Sequence, residues 1–341
     1  MAKLEVYDDE IVKKIEEIIR DCGGEAGTFE SDLIKQQIQT SLRLMTEGHD
    51  TGQLKLITRA LKELRYAYRV FNDYPGTRRI SFFGSARTQE DDPDYITAEE
   101  FSVELAKNDW MCITGAANGI MKAGMAGQEA EGSFGLSIRL PFEVPTNAFI
   151  EGDPKLINFR YFFTRKLMFM SHSDALVVFP GGFGTLDELF EMLTLIQTGR
   201  GNIIPIILME GPGGVYWKHW LNYVEKNLYE GGKICPEDMS LFNIAPTVQD
   251  GIEHVNTFYK IYHSSRYVRE MFVMRVNKMI SPEQLQVLND NYGRLLASGK
   301  FEVTGPFPEE DEYLDKPRLA FHHTRMDFGL LRQMIDTINT F

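Results

Sequence analysis

Residues 175–188, ALVVFPGGFGTLDE, contain the pattern that decides the fold. The first five are apolar, which is typical of a strand buried on both faces of a sheet. Beyond the glycines, apolar residues recur at helical spacing, namely Leu186, Leu189, Phe190, Leu193 and Ile196. The segment therefore predicts a strand, a glycine turn and a helix in succession.

The glycine turn is suited to binding an anion. Glycine has no Cβ, so the backbone at Gly181, Gly182 and Gly184 can approach a ligand closely and adopt a positive φ. The helix that follows directs free N–H groups and the positive end of its dipole at the turn, where phosphate is the usual anion. Glu188 adds a carboxylate one helical turn further on. A phosphate site beside a carboxylate indicates chemistry on the sugar of a nucleotide.

Strands and helices alternate around this segment. Besides a strand at 174–179, the pattern predicts strands at 79–83, 111–114, 134–140 and 203–209. Alternation of this kind predicts an α/β fold, a Rossmann-like, doubly wound parallel sheet with helices on both faces. Ligands of such sheets bind at the carboxyl ends of the strands.

Two other predicted strands end in turns of small residues. Gly84 and Ser85 follow the first strand, and Gly115 and Gly119 lie in the turn after the second. Ordinary connections between a strand and a helix have a similar composition. We nevertheless expect these four residues to line the nucleotide site, because the turns lie at carboxyl ends of strands.

The helix predicted before the central strand, at residues 161–170, carries two adjacent cations. Arg165 and Lys166 stand among apolar residues, whereas such a pair more often lies on a solvated face. A largely buried pair of cations requires a counter-anion nearby. The pair therefore favours the same anion site as the glycine turn.

Arg165-Lys166 followed by PGGFGTLDE at 180–188 resembles the LOG family, whose members are often labelled lysine decarboxylases and carry the motif PGGxGTxxE. Every fixed position of the motif matches, and the resemblance covers about residues 75–250. It implies hydrolysis of nucleoside 5′-monophosphates, including cytokinin riboside monophosphates, to free base and ribose 5-phosphate. No cofactor and no metal are expected.

The resemblance also implies roles for individual residues. Arg165 and Glu188 would be the catalytic pair, and Glu191 is a minor candidate for a second carboxylate. Cleavage of an N-glycosidic bond builds positive charge on the sugar, which a carboxylate stabilises. Glu188 could also orient water, and the guanidinium of Arg165 suits phosphate, a sugar oxygen or Glu188. The residues implied to bind phosphate are Gly181, Gly182, Gly184, Thr185 and, close by, Lys166.

The chain departs from the family pattern after the second predicted strand. Family members have a glycine triplet there, whereas this chain has Gly115 followed by Ala116 and Ala117. Alanine resists positive φ. We therefore expect a tighter or differently bent turn, and close approach of a ligand at these two alanines is open.

Three other functions are considered beside a hydrolase of nucleoside 5′-monophosphates. A module that binds a nucleotide or alarmone without cleaving it is the main alternative, although binding alone does not require Arg165 with Glu188. A decarboxylase would need pyridoxal phosphate on a lysine, and no lysine has a convincing context for it. A dinucleotide dehydrogenase would need GxGxxG after the first strand, which is absent from the sequence.

The composition of the chain limits the kinds of partner that it can bind. The 341 residues carry a net charge of −13, which disfavours a nucleic acid polymer as partner. Residues 1–10 contain no apolar signal core, and no apolar run approaches the ~20 residues of a membrane helix. The cysteines, Cys22, Cys112 and Cys235, have neither metal spacing nor a disulfide framework. We expect a cytoplasmic protein that does not bind membranes.

The chain divides into three predicted regions. Residues 1–75 form a helical extension, with helices at 8–21, 31–46 and 53–72. Residues 76–250 form the catalytic domain. Residues 251–341 form a small α+β appendage with strands at 272–276, 301–303 and 318–323 and helices at 281–298 and 327–339.

The helix that follows the glycine turn also predicts self-association. Its apolar residues are too many for a single face against the sheet, so a second partner is expected. We expect a homodimer or larger even homo-oligomer, with residues 184–199 near the two-fold axis. The sequence does not indicate the preferred base.

Overall fold

A computed structural model describes residues 6–140 and 146–341. The expectation that residues 1–10 lack a signal core therefore lies partly outside the described residues. The chain forms two compact units, Met1–Tyr66 and Ala67–Phe341. The expected appendage, residues 251–341, belongs to the same compact unit as the central sheet.

The first unit is helical, as expected. It contains α1 (Asp9–Asp21), α2 (Phe29–Arg43) and most of α3 (Thr51–Asn72), which crosses the boundary into the second unit. Helix α2 begins two residues before the predicted start because the hydroxyl of Thr28 accepts a hydrogen bond from the Ser31 backbone N–H at 3.2 Å and caps the helix.

A seven-stranded parallel sheet forms the centre of the second unit. Its order is β4-β3-β2-β1-β5-β6-β7, which confirms the doubly wound α/β fold. The two strands that the sequence pattern did not predict are the edge strands β4 and β7. The strands are β1 (Arg79–Phe83), β2 (Met111–Thr114), β3 (Ser133–Ile138), β4 (Leu156–Phe159), β5 (Ala175–Val178), β6 (Ile206–Leu208) and β7 (Asn243–Ile244).

Helices pack on both faces of this sheet. Phe82 of β1 packs near Phe101, with ring centroids 6.0 Å apart, and both side chains are fully buried. The helices are α4 (Pro93–Ala106), α5 (Ile120–Ala126), α6 (Phe162–His172), α7 (Phe183–Gln197), α8 (Tyr216–Tyr223) and α9 (Val248–Phe258). In the described part of the chain, no helix combines the length and apolar character needed to cross a membrane.

The C-terminal region adds a four-stranded antiparallel sheet of order β10-β11-β9-β8. The helix predicted for 281–298 is wrong in its second half, because residues from 296 onward pair with β11. Gly299, expected to end that helix, lies inside β10 with a φ of +74°. The elements are β8 (Tyr262–Val268), β9 (Met271–Val276), α10 (Pro282–Asn291), β10 (Leu296–Thr304), β11 (Arg318–His323) and α11 (Phe328–Asn339).

The second apolar face of α7 packs in part against its own chain. The ring of Phe190 lies 6.0 Å from that of Trp220 in α8. Phe190 and Leu193 also line a small apolar cavity with residues from 220–242. Part of the apolar surplus on α7 therefore packs against its own chain, whereas Leu193 and Leu195 stay half-exposed. The homodimer or larger even assembly stays a prediction.

Candidate functional site

The predicted site lies at the point where the sheet changes direction. β1 pairs with β2 on one side and β5 on the other, so connections run outward in both directions from this pair. Crevices at such a point are where doubly wound sheets bind ligands. The glycine turn follows β5 and Gly84-Ser85 follows β1, and the backbone N–H of Ser85 donates to the carbonyl of Pro180 at 3.0 Å. The two predicted turns are thus joined directly.

The three glycines of the motif have different surroundings. A Cβ on Gly181 would lie 2.2 Å from the Thr185 hydroxyl oxygen, so a side chain there would displace Thr185. A Cβ on Gly182 or Gly184 would meet nothing within 4 Å, so the turn is open on that side. None of the three has a positive φ, so that part of the prediction is wrong. Close approach of a ligand remains possible at the open side.

A tyrosine that sequence reasoning missed supports the same turn. The hydroxyl of Tyr216 donates to the carbonyl of Gly181 at 2.7 Å. The backbone N–H of Tyr216 in turn donates to the Glu210 carboxylate at 2.7 Å. The sequence offers little indication of this contact, because Tyr216 does not follow the same strand as the glycine turn. The contact depends on the tertiary fold. Burial raises the pKa of Tyr216, so it stays a donor at neutral pH.

The turns after β1 and β2 pack against each other. The backbone N–H of Ile120 donates to the Ser85 carbonyl at 3.1 Å. Gly119 has a φ of +64°, and a Cβ there would lie 2.2 Å from the Ser85 carbonyl oxygen. A Cβ on Gly84 would lie 2.6 Å from the side chain of Ile120. Gly84, Ser85 and Gly119 therefore meet beside the glycine turn, and their contact with a nucleotide stays a prediction.

Ala116 adopts the backbone conformation that glycine favours. Its φ is +60°, which costs an alanine about 1–2 kcal/mol. The Thr114 hydroxyl accepts from the Ala116 N–H at 3.0 Å, and the Ala116 carbonyl accepts from the backbone N–H of buried Asn147 at 3.0 Å. The turn thus takes a left-handed bend in spite of the alanine. Gly115 precedes it, and a Cβ there would lie 3.7 Å from Nη1 of Arg165.

Glu188 is buried at the start of α7. Only 3% of the residue is exposed, and its Oε2 has no hydrogen-bond partner. Burial raises the pKa of Glu188 to about 7, against the opposing effect of Lys166 and Arg165. Perturbed carboxylates of this kind are concentrated at functional sites.

Arg165 faces the same region from α6. Burial lowers the pKa of Arg165, while the charge of Glu188 opposes that change. Its guanidinium lies 5.1 Å and 5.8 Å from the ring centroids of Phe162 and Phe169, and its Nε has no hydrogen-bond partner. The structure therefore brings both predicted catalytic residues together, each with an unpaired polar atom.

Lys166 interacts with the acidic residues of α7. Its Nζ lies 2.8 Å from Asp187, is paired with Glu191 and lies 3.7 Å from Oε2 of Glu188. Burial lowers the pKa of Lys166, but the hydrogen bonds to Asp187 and Glu191 outweigh it and leave the pKa raised. Lys166 is therefore placed to stabilise the carboxylate of Glu188, and its contact with phosphate stays a prediction.

The arrangement combines an open backbone turn at a helix N-terminus with a buried carboxylate and a buried guanidinium. The turn suits a phosphate group. The carboxylate of Glu188 can stabilise positive charge that develops on a neighbouring sugar. Arg165 can donate to an oxygen of the ligand or to Glu188.

The family comparison matches a range that contains the glycine turn and the helix of Arg165. Residues 112–255 match the family described as "Possible lysine decarboxylase". The chain is 33% identical over 94 residues to a cytokinin riboside 5′-monophosphate phosphoribohydrolase of Arabidopsis thaliana, covering 28% of this chain and 42% of that protein. It is 33% identical over 99 residues to a probable enzyme of the same name from Oryza sativa subsp. japonica, covering 29% and 44%.

A solved structure also resembles this chain. The molybdenum cofactor carrier protein of Chlamydomonas reinhardtii is 20% identical, over 53% of this chain and 97% of that one, with a TM-score of 0.38. The chain spans less than half the length of the two plant relatives. The glycine motif, the matching family model and the two plant relatives agree, and residues 112–255 of this chain are similar to the LOG family.

Proposed function

We propose that the protein hydrolyses the N-glycosidic bond of nucleoside 5′-monophosphates to free base and ribose 5-phosphate. The observation that carries this proposal is the buried Glu188, whose Oε2 accepts no hydrogen bond and whose pKa is raised to about 7. Binding alone gains nothing from burying such a carboxylate. The names of the plant relatives support the same reaction.

In the proposed reaction, water attacks C1′ of the ribose as the bond from C1′ to the base nitrogen breaks. The electron pair of that bond passes to the base, which takes up a proton, and the hydroxyl of the water stays on C1′. Positive charge develops on C1′ and O4′, and the Glu188 carboxylate stabilises it or orients the water. A pKa near neutrality suits a group that exchanges a proton during turnover.

The other residues of the site bind and orient the nucleotide. The open side of the turn at Gly182 and Gly184 accepts the phosphate, assisted by the N-terminus of α7. Arg165 donates to an oxygen of the sugar or phosphate, and Lys166 keeps Glu188 partly ionised. We also propose, from the family resemblance alone, that the protein forms a homodimer or larger even assembly.

Nucleotide binding without cleavage is the second candidate. It is favoured by Ala116 and Ala117, which replace glycines of the family motif. The left-handed φ of Ala116 weakens this candidate, because the turn bends as a glycine would allow.

The test is product analysis on a panel of nucleoside 5′-monophosphates that includes purine, pyrimidine and cytokinin bases. Chromatography should detect free base and ribose 5-phosphate in equal amounts from at least one nucleotide. The matching unphosphorylated nucleoside should be a much poorer substrate, because the turn binds phosphate. Equal rates on both would contradict the phosphate assignment, and binding with no release on the whole panel would favour the second candidate.

A further inference from the structure

A cleft of about 580 Å³ lies between the central sheet's helices and the C-terminal sheet. Its volume is within the range of small-molecule sites. One wall comes from α6 and the second half of α7, and the other from β8, β9 and the start of α11. The glycines of the motif do not line it, but Lys166 and Glu191 do, so the cleft adjoins the proposed nucleotide site without including its glycine turn.

Aromatic side chains line the cleft from several elements. Phe163 comes from α6, Tyr267 from β8, Phe272 from β9 and Phe328 from α11. Phe272 and Phe328 are largely buried. Flat apolar walls of this kind favour a ligand with a planar ring, which stacks on aromatic faces.

The junction that closes the cleft depends on a glycine. Gly199 follows α7 with a φ of +67°, and a Cβ there would lie 2.0 Å from the ring of Phe328. The start of α11 therefore lies directly against the end of α7. The helix that carries Glu188 and the C-terminal region share this wall.

The cleft is positively charged on a negatively charged protein. Its charged lining residues are Lys166, Arg200 and Arg266 and the single carboxylate Glu191, a net charge of +2 against −13 for the whole chain. Lys166 is paired with Glu191. Arg200 and Arg266 form no ion pair with any carboxylate of the described residues. A locally positive concave surface attracts anions.

We propose that this cleft binds a small planar anion, a ring system that carries a phosphate, sulfonate or carboxylate group. The ring lies among the aromatic side chains and the anionic group lies near Arg200 and Arg266. These guanidiniums supply charge-assisted donors that have no carboxylate partner in the structure.

The cleft also reaches the proposed catalytic carboxylate. Lys166 lines the cleft, and its Nζ lies 3.7 Å from Oε2 of Glu188. A bound anion attracts this ammonium and weakens its support of the ionised carboxylate. We infer that occupancy slows hydrolysis at the glycine turn, a consequence that rests on the proposed function.

Binding is tested first, with 8-anilinonaphthalene-1-sulfonate as the probe, because it carries a planar naphthalene ring and a sulfonate group and is fluorescent in apolar sites. The full chain should show one saturable site. The double variant Arg200→Ala/Arg266→Ala should weaken it by about ten-fold or more. The control Arg20→Ala/Arg65→Ala removes the same charge from exposed positions of the first unit and should leave affinity unchanged. Equal affinity in the two double variants would overturn the proposal.

Two further measurements separate the sites. Leu167→Trp, a change at a half-exposed position in the cleft wall, should block the probe while circular dichroism stays unchanged. Adenosine 5′-monophosphate should not displace the probe, and displacement would place the probe at the glycine turn and overturn the proposal.

The effect of cleft occupancy on catalysis is tested by measuring the rate of base release. Saturating probe should lower base release by the parent protein and leave the rate of the Arg200→Ala/Arg266→Ala variant unaffected. An unchanged parent rate with the probe bound would overturn the link. If the parent releases no base from any nucleotide, the proposed function fails while the binding measurements still decide whether the cleft is a site.

Discussion

Glu188 lies at the start of α7 with 3% of its surface exposed and with Lys166 and Arg165 as its nearby cations. Burial disfavours its ionised form, and the two cations only partly offset this effect. The sequence motif predicted its position beside the turn. The raised pKa could not be predicted, because it depends on how α6 and α7 pack.

This burial predicts a pH-dependent stability. The pKa of Glu188 is about 7 in the folded protein, above the ordinary value of 4.5. The folded state therefore holds the proton more tightly, and the contribution of Glu188 to stability falls as pH rises from about 4.5 to 7. Glu188→Gln should remove this loss and raise the free energy of unfolding above pH 7 by about 1–3 kcal/mol.

Thermal unfolding of the parent protein and of Glu188→Gln at pH 5 and pH 8 measures this difference in stability. The gain should be present at pH 8 and small at pH 5. Glu104→Gln, which removes the same charge from an exposed position, is the control. A gain of the same size at both pH values would show that Glu188 is not destabilised by its ionisation.

At the scale of an element, the sequence predicted the glycine turn and α7 in outline but not in detail. The motif predicted the strand, the turn and the helix, and the structure confirms all three. It did not reveal that the glycines differ, because Gly181 meets Thr185 whereas Gly182 faces open space. That difference depends on side-chain positions within the first helical turn.

Two alanine substitutions test the difference. Gly181→Ala places a Cβ 2.2 Å from the Thr185 hydroxyl oxygen, so it should lower the free energy of unfolding by about 1–3 kcal/mol. Gly182→Ala should change it by less than about 1 kcal/mol, yet weaken nucleotide binding because the Cβ occupies the open side. Denaturant unfolding and nucleotide titration measure both. A larger loss of stability at Gly182 would contradict the assigned packing.

The strands that the sequence pattern missed, β4, β7 and β8, lie at sheet edges. β8 was missed because Tyr262–Val268 contains polar residues along an edge strand that is largely half-exposed. The helix predicted for 281–298 ends at Asn291 because the following residues form β10 and pair with β11. Strand pairing therefore prevails over the longer helix that the sequence predicted.

The C-terminal region is part of the molecule's main compact unit, and a buried charge cluster fixes its sheet. Glu310, fully buried, accepts from Arg275 at 3.2 Å, from Arg318 at 3.0 Å and from the Phe307 backbone N–H at 3.1 Å. Burial would raise the pKa of Glu310, but the hydrogen bonds and the charges of Arg318 and Arg275 lower it. Sequence alone could not place Glu310 here, because it lies in an acidic segment typical of solvent-exposed loops.

Because of this cluster, we expect a substitution at Glu310 to lower the free energy of unfolding more than the same substitution at its neighbour Glu309. Glu310→Gln leaves buried Arg318 without a carboxylate and buried Arg275 with only the exposed Glu312, so it should lower the free energy of unfolding by about 3–5 kcal/mol. Glu309→Gln, which breaks only the exposed pair with Arg269, should cost less than about 1 kcal/mol. Denaturant unfolding at pH 7 compares them. Similar losses would show that the buried cluster does not fix the C-terminal sheet.

The central claim concerns the whole molecule, that it cleaves nucleotides at the proposed site rather than only binding them. The most direct measurement pairs isothermal titration with base release for Glu188→Gln, on the nucleotide that the parent cleaves best. The variant should keep its affinity and lose about 10²–10⁴-fold in rate, while Glu191→Gln, half-exposed on the same helix, loses much less. Near-normal release by Glu188→Gln would contradict the account and move the chemistry to another residue.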